Sequence, residues 1–260
     1  AELKDSLKRD PNVYWGITPS KPLNLSHFVP LIKLRDLIKM GFTATILIAD
    51  VHSYLEDGFD NVHKIDDNTT LCRNAIQAIL HRLGILEEQY EIRLGSEFQI
   101  HPKYTLELLE LSTLIKVKQA QHAGSDILKA SDDPQLSSLL YPLMQCLDEN
   151  ALGADLQIGG YNQRKIFELS RVYSDKMKHK KKCSYLITQT VVKLEFTDTL
   201  DIITQKTDEQ DIYNIFKYII FEIEPEVVID NKVINSIEEL VFTNSLLIYL
   251  ANWLRGNITS

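Results

Sequence analysis

The run Leu156-Gln157-Ile158 ends in Gly159-Gly160, and a helical pattern begins near Gln163. A strand that stops at a tight turn before a helix N-terminus leaves backbone N–H groups unpaired, and these receive an anionic or ribose-like group. A second set of chemical groups is Tyr141, Gln145 and Asp148, at i, i+4 and i+7 on one helix face. Taken by itself, that face reads as ordinary helix surface. Lys176, Lys178, Lys180, Lys181 and Lys182 with His179 form a basic cluster. It suits either a phosphate backbone or a solvated loop. The histidines (His27, His52, His63, His81, His101, His122 and His179) do not cluster at metal-ligand spacing. No GxSxG elbow, P-loop, HExxH or EF-hand loop occurs, so no metal site is expected.

The elements that must position these groups are those of an α/β chain. Val13–Ile17 reads as a strand, followed by the turn-rich Thr18–Pro22 and an apolar-periodic helix from about His27 to Met40. Gly41 sits where a glycine ends a helix, and Thr43–Asp50 is apolar and β-branched, as a buried parallel strand is. This βαβ order implies a parallel sheet with right-handed crossovers. Ligands of such sheets lie at the carboxyl ends of the strands, here Gly16–Pro22 and Asp50–Tyr54. Further helices are expected over 2–9, 66–83, 103–122, 135–148 and 163–173, with strands at 90–94 and 184–192.

The chain of 260 residues is 44% hydrophobic and 25% charged, enough for a substantial core and unlike a disordered or low-complexity chain. No apolar run approaches the length of a membrane span, and AELKDSLKRD has no apolar stretch typical of a secretory signal. Cys72, Cys146 and Cys183 lie far apart, as reduced thiols of a cytosolic protein do. A net charge of −8 disfavours non-specific nucleic-acid binding. Two domains are expected: 1–182, including a helical insertion at about 100–130, and a smaller one over 183–260.

Several stretches occur in one order. They are Tyr14-Trp15-Gly16-Ile17-Thr18, Phe28-Val29-Pro30-Leu31, Ile48–Leu55, Leu140–Asp148 and Asp155–Phe167. Over residues 12–175 they resemble a tyrosyl-tRNA synthetase of the eukaryotic and archaeal type; past 185 the likeness is weak. The resemblance implies a class I fold: a Rossmann-like parallel sheet with a helical insertion, then a short, mainly helical C-terminal domain. It implies activation of tyrosine by ATP with Mg2+, release of pyrophosphate and transfer of tyrosyl to tRNA(Tyr). It also implies a cytoplasmic homodimer with no membrane attachment.

By resemblance, Tyr14, Tyr141, Gln145 and Gln163 match residues that hold tyrosine, Asp148 matches the acceptor for the phenol, and His52 with Asp50 lines the floor. A phenol-selecting pocket needs such a buried polar partner, because an analogue without the hydroxyl leaves it unpaired. Gly16, Asn24, His27, Gly159, Gly160 and Asn162 fall on the ATP side.

There the chain departs from the family. The HIGH motif falls on Asn24-Leu25-Ser26-His27, with Asn for the first His and Lys21 at the preceding glycine position. Asn162 replaces an Asp that accepts from the ribose, with loss of charge. The KMSKS loop matches Lys193-Leu194-Glu195-Phe196-Thr197, followed by Asp198. Lys193 remains as the catalytic lysine beside Asn24 and His27, but Phe196 replaces the second lysine and Glu195 adds negative charge. If each change costs on the order of 1–3 kcal/mol of transition-state stabilisation, the rate falls by roughly 10² to 10⁶-fold.

The tRNA side is reduced too. Gln121-His122 replace a basic pair, and the region after 200 is short and acidic through Asp201, Asp208, Glu209, Asp211, Glu222, Glu224 and Glu226. Trp253, in an apolar helical run, reads as core. The stretch 100–122 carries Leu106, Leu109, Leu111, Leu114 and Ile115, more apolar surface than one core helix needs, and lies at the family's dimer interface. The sequence therefore favours a weak or inactive, tyrosine-binding or interacting derivative of a synthetase over an active tyrosine–tRNA ligase. A partner subunit of a larger particle is a third reading.

Overall fold

Apolar, β-branched segments build one parallel sheet from β1 (Asn12–Ile17), β2 (Thr43–Ile48), β3 (Tyr90–Leu94), β4 (Leu156–Gly160) and β5 (Ser184–Thr188). The computed structural model describes residues 10–21, 23–58, 62–128, 133–177, 179, 182–188, 193–194 and 200–259. Strand order is β3-β2-β1-β4-β5, and every pairing is parallel. The chain runs outward from β1 in one direction and from β4 in the other. The crevice between their carboxyl ends is therefore the topological switch point, where such sheets bind ligands.

The crossovers are helical. α1 (Phe28–Lys39) follows β1, and α2 (Asp50–Asp57) and α3 (Val62–Arg82) follow β2. α4 (Pro102–Leu114), α5 (Val117–Gly124) and α6 (Leu136–Ala151) lie between β3 and β4, and α7 (Arg164–Ser174) lies between β4 and β5. Gly41, with φ +93, follows α1 as expected of a glycine past a helix end.

Four details differ from the sequence reading. The helix expected over 103–122 is two helices, because Ile115 takes an extended conformation (φ −99, ψ 129) and Lys116 caps a new start. β2 stops at Ile48; Asp50 opens α2 instead of ending the strand, and its Oδ1 accepts from Val51 N (2.9 Å) and Ser96 N (2.8 Å). β5 lies past the expected boundary at 182, yet it completes the edge of the same sheet beside β4. The C-terminal part is mainly helical, as expected, with one hairpin that the sequence reading did not place. It holds α8 (Leu200–Lys206), α9 (Glu209–Ile215), which runs on into a π-turn over Phe216–Ile220, and α10 (Asn244–Thr259). Between α9 and α10 it also holds an antiparallel hairpin, β6 (Val227–Ile229) and β7 (Lys232–Ile234). Asp230 and Asn231 turn the hairpin at positive φ, which short polar side chains tolerate. The helix expected over 2–9, and the end of the strand past 188, lie outside the described residues.

One hydrophobic cluster joins this C-terminal part to the sheet. Leu246, Leu250 and Leu254 are buried with Leu31 and Leu34 of α1, and the Trp253 ring lies 5.6 Å from that of Phe28. Trp253 is thus core, as expected. Glu224 fastens the joint, accepting from Arg82 Nη2 (2.9 Å), Trp253 Nε1 (2.9 Å) and Tyr249 OH (2.7 Å). Arg35 likewise reaches Glu222 O (2.6 Å) and Oε2 (2.9 Å). Two of the acidic residues counted against tRNA docking are therefore paired with arginines of the same chain. Trp253→Ala is expected to cost about 3–5 kcal/mol, the range for large core aromatics. Urea unfolding checks this; a loss below about 1 kcal/mol, the scale of surface changes, would contradict the joint.

Candidate functional site

A cavity of about 370 Å³ opens at the carboxyl ends of β1 and β4. Its wall takes Tyr14 and Gly16 from β1, His52 from α2, and Tyr141, Gln145 and Asp148 from α6. Gly160, Asn162 and Gln163 from the turn after β4 line it too, with Asn24, His27 and Lys193. Two of the sequence-predicted site residues do not line it: Asp50, whose Oδ1 is held by Val51 N and Ser96 N, and Gly159. Gly159 has a different use: a Cβ there would overlap Gln163 Oε1 and the Phe167 ring, so the missing side chain lets Gln163 fold against the sheet.

The deepest polar group is Asp148, on the face of α6 that also carries Tyr141 and Gln145, all three buried. Its Oδ1 accepts from Gln99 Nε2 (2.8 Å) and lies 2.7 Å from the Tyr104 hydroxyl. Tyr104 can also give its one proton to Met144 O (2.8 Å), so it serves a charged or a neutral Asp148. Asp148 Oδ2 takes neither bond and stands 3.8 Å from His52 Nε2. Burial pushes Asp148 up to about 7, against the pull of Gln99 and Tyr104. Burial also holds His52 down to about 4, so at neutral pH the imidazole is uncharged and the two form no ion pair. His52 rests edge-on against Tyr141, ring centroids 4.7 Å apart.

Tyr14 is buried on β1, and its hydroxyl oxygen accepts from Gln157 Nε2 at 2.6 Å. Burial, reinforced by Asp148, holds this phenol well above its usual range, so it stays a neutral donor and acceptor. Behind the wall, Glu149 accepts from Tyr185 OH (3.0 Å to each oxygen). Tyr185 stacks on Phe167, 4.5 Å apart and 9° from parallel, and so backs the Gly159 turn. Burial pushes Glu149 up to about 8.

The other end of the cavity is built differently. Asn24 caps the short turn Leu25–His27: its Oδ1 accepts from Ser26 N (3.1 Å) and Ser26 Oγ (2.5 Å). The Asn24 N–H donates to His27 Nδ1 at 2.9 Å. Burial, with the Lys193 charge nearby, keeps His27 below its ordinary value, so its ring is neutral at pH 7. Leu25 N donates to Leu194 O at 2.9 Å, which seats Lys193 beside this turn. Residues 195–198, the rest of the KMSKS match, lie outside the described residues. Lys178, Lys180 and Lys181 of the basic cluster do so as well. Of its other members, Lys182 pairs with Asp175 (3.0 Å) and Lys176 sits over the Tyr173 ring (4.6 Å).

Sequence reasoning did not assign Gln99, Tyr104 or Gln157 to the site. Gln157 carried a signal: an amide in an otherwise apolar parallel strand must find a buried partner. Gln99 and Tyr104 fall in stretches that fit the family resemblance, but nothing local marks them as site residues, since only the tertiary fold brings them to Asp148.

The five-stranded parallel sheet, with a cavity at its switch point, defines a Rossmann-like scaffold. The class I tRNA synthetase family of tryptophan and tyrosine enzymes matches residues 6–239, and the chain belongs to that family, on its tyrosyl side. It is 36% identical to the cytoplasmic tyrosine–tRNA ligase of Saccharomyces cerevisiae over 183 residues, 69% of this chain and 46% of that protein. It is 35% identical to the tyrosine–tRNA ligase of Haloarcula marismortui over 162 residues, 62% of this chain and 47% of that one. The matches thus span about half the length of these relatives. The tyrosyl-tRNA synthetase of Archaeoglobus fulgidus, solved with L-tyrosine, superposes with a TM-score of 0.84 at 27% identity, covering 99% of this chain and 91% of that one.

Asp148 and Glu149 keep protons in the folded state that the unfolded chain loses near pH 4, so the folded state binds more protons from there up to about 7 and 8. Stability should therefore fall as pH rises through that window. Urea midpoints between pH 5 and pH 8.5 test this. Asp148→Asn and Glu149→Gln should each flatten the slope; an unchanged slope in both would refute the assignment.

Proposed function

We propose that this protein binds tyrosine in the cavity between β1, α6 and β4, and that its adenylate chemistry is weak or lost. The tyrosine phenol donates to Asp148 Oδ2, the oxygen that neither Gln99 nor Tyr104 uses. Tyr141, Gln145 and Gln163 take up the amino and carboxylate end, and His52 shapes the floor. One observation carries the reading: four buried or half-buried polar side chains from three elements (Tyr14, Gln145, Asp148 and Gln163) line one hollow.

Family membership implies ATP as co-substrate with Mg2+. Among the described residues no cluster of three or more His, Cys, Asp or Glu could hold a cation, so Mg2+ would arrive on the ATP phosphates. Toward those phosphates the chain offers Lys21 and Lys193, a neutral His27, and an Asn24 whose oxygen is occupied in its own turn. Asn162 gives the ribose an uncharged amide. These features support weak transition-state stabilisation, because charge developing on the phosphates meets fewer preorganised cations and donors. Docking of tRNA(Tyr) would be reduced by the same acidic C-terminal part, and pairing of two chains would use the exposed Leu106 and Leu109 of α4. No helix of the described residues is long and apolar enough to cross a membrane.

A second reading, an active tyrosine–tRNA ligase, is favoured by the Leu25–Leu194 hydrogen bond that keeps Lys193 at the cavity. Titration calorimetry with tyrosine and with ATP–Mg2+, beside pyrophosphate exchange, separates the two. Tyrosine should bind roughly 100-fold or more tighter than phenylalanine, as a site built for a hydroxyl requires. Asp148→Asn should weaken tyrosine about tenfold or more. Affinity should rise as pH passes 7, because the carboxylate accepts better than the acid. Exchange should be absent or at least about 10²-fold below that of an active relative. Brisk exchange overturns the loss of adenylate chemistry and favours the ligase reading, and failure to bind tyrosine overturns both readings.

A further inference from the structure

Gln157 is buried on β4, directly across from Tyr14 on the neighbouring parallel strand β1. Its Nε2 donates to the Tyr14 hydroxyl oxygen at 2.6 Å, and its Oε1 finds no hydrogen-bond partner among the described residues. Turning the amide over would leave the whole NH2 without an acceptor in place of one carbonyl oxygen. Buried N–H groups without a partner are the rarer and costlier orphans, so the orientation with Nε2 toward Tyr14 is preferred.

This bond has a direction, and the direction has a consequence. A phenol oxygen that accepts from Gln157 must send its own proton elsewhere. Tyr14 and Asp148 both line the cavity. Asp148 Oδ1 is taken by Gln99 and Tyr104, which leaves Oδ2 as an acceptor. A ligand's para position therefore meets a donor from Tyr14 and an acceptor from Asp148. A hydroxyl satisfies both, accepting one bond and donating one. An aromatic amine brings two protons and a poor acceptor, so it opposes the Tyr14 proton. A bare ring edge satisfies neither.

We infer that Gln157 determines specificity for a para-hydroxyl by fixing the polarity of the Tyr14 hydroxyl, in a chain of donors running Gln157, Tyr14, ligand oxygen, Asp148. This rests on the reading of the cavity as a tyrosine site and goes beyond it, because it assigns the sorting of hydroxyl from amine to Gln157, which also lines the cavity, acting through its bond to Tyr14.

The test is calorimetric titration of the whole chain with tyrosine, 4-aminophenylalanine and phenylalanine. The unaltered protein should prefer tyrosine over 4-aminophenylalanine by about tenfold or more, the scale of one mismatched buried hydrogen bond. Gln157→Met keeps the length and removes the donor. It should weaken tyrosine about tenfold, leave phenylalanine unchanged, and narrow the tyrosine-to-amine ratio. In a Tyr14→Phe background the same substitution should have no further effect on that ratio. A loss of packing alone would weaken all three ligands together, and that result overturns the inference. So does equal or better binding of the amine by the unaltered protein, a result that needs no variant to fold. If tyrosine is bound and preferred but Gln157→Met leaves the ratio alone, this inference fails and the tyrosine site stands. If tyrosine is not preferred over phenylalanine, both fall.

Discussion

A carboxyl group without bulk water around it is the constraint on which the site depends. Asp148 sits fully enclosed on α6, and burial alone would make it a poor anion. Gln99 and Tyr104 hold one of its oxygens, so the other can serve a ligand. That arrangement needs α4 and the loop before it to pack against α6, and it needs β1 and β4 to part at the switch point. Removing one partner of such a group leaves a buried polar atom exposed to nothing, which costs more than the bond itself contributed. The polar groups behind this cavity thus keep a single acceptor oriented and dry.

The two ends of the cavity contrast in how their polar groups are used. At the Asp148 end, hydrogen bonds between side chains fix donors and acceptors toward the hollow. At the Asn24 end, the polar groups turn inward. Asn24 is a good helix cap, and its oxygen serves Ser26 while its backbone serves His27. Asn24 thus spends its polar groups on its own turn and offers the cavity little.

Much of the fold was legible in the residues. The β-branched run Thr43–Asp50 and the glycine after α1 marked a buried strand and a helix end by local chemistry, though the strand stops at Ile48. The stripe Tyr141, Gln145, Asp148 falls on one buried face because helical periodicity is a property of the chain alone. What was missed depends on contacts distant in sequence. Gln99 and Tyr104 meet Asp148 across more than forty residues, and no local pattern announces that. The Asp230-Asn231 hairpin was readable, since two turn-forming residues sit between Val-Ile runs, but the surrounding helical periodicity obscured it. The acidity of the C-terminal part was read as unpaired charge, whereas Glu222 and Glu224, still at the surface, pair with Arg35 and Arg82.

The most direct measurement is a crystal structure of the protein grown with L-tyrosine and ATP. The account predicts tyrosine in the hollow, its phenol oxygen within hydrogen-bond distance of both Tyr14 OH and Asp148 Oδ2, and no ordered triphosphate beside Asn24 and Lys193. A vacant hollow, tyrosine bound elsewhere, or a well-ordered tyrosyl adenylate across the two ends would contradict it.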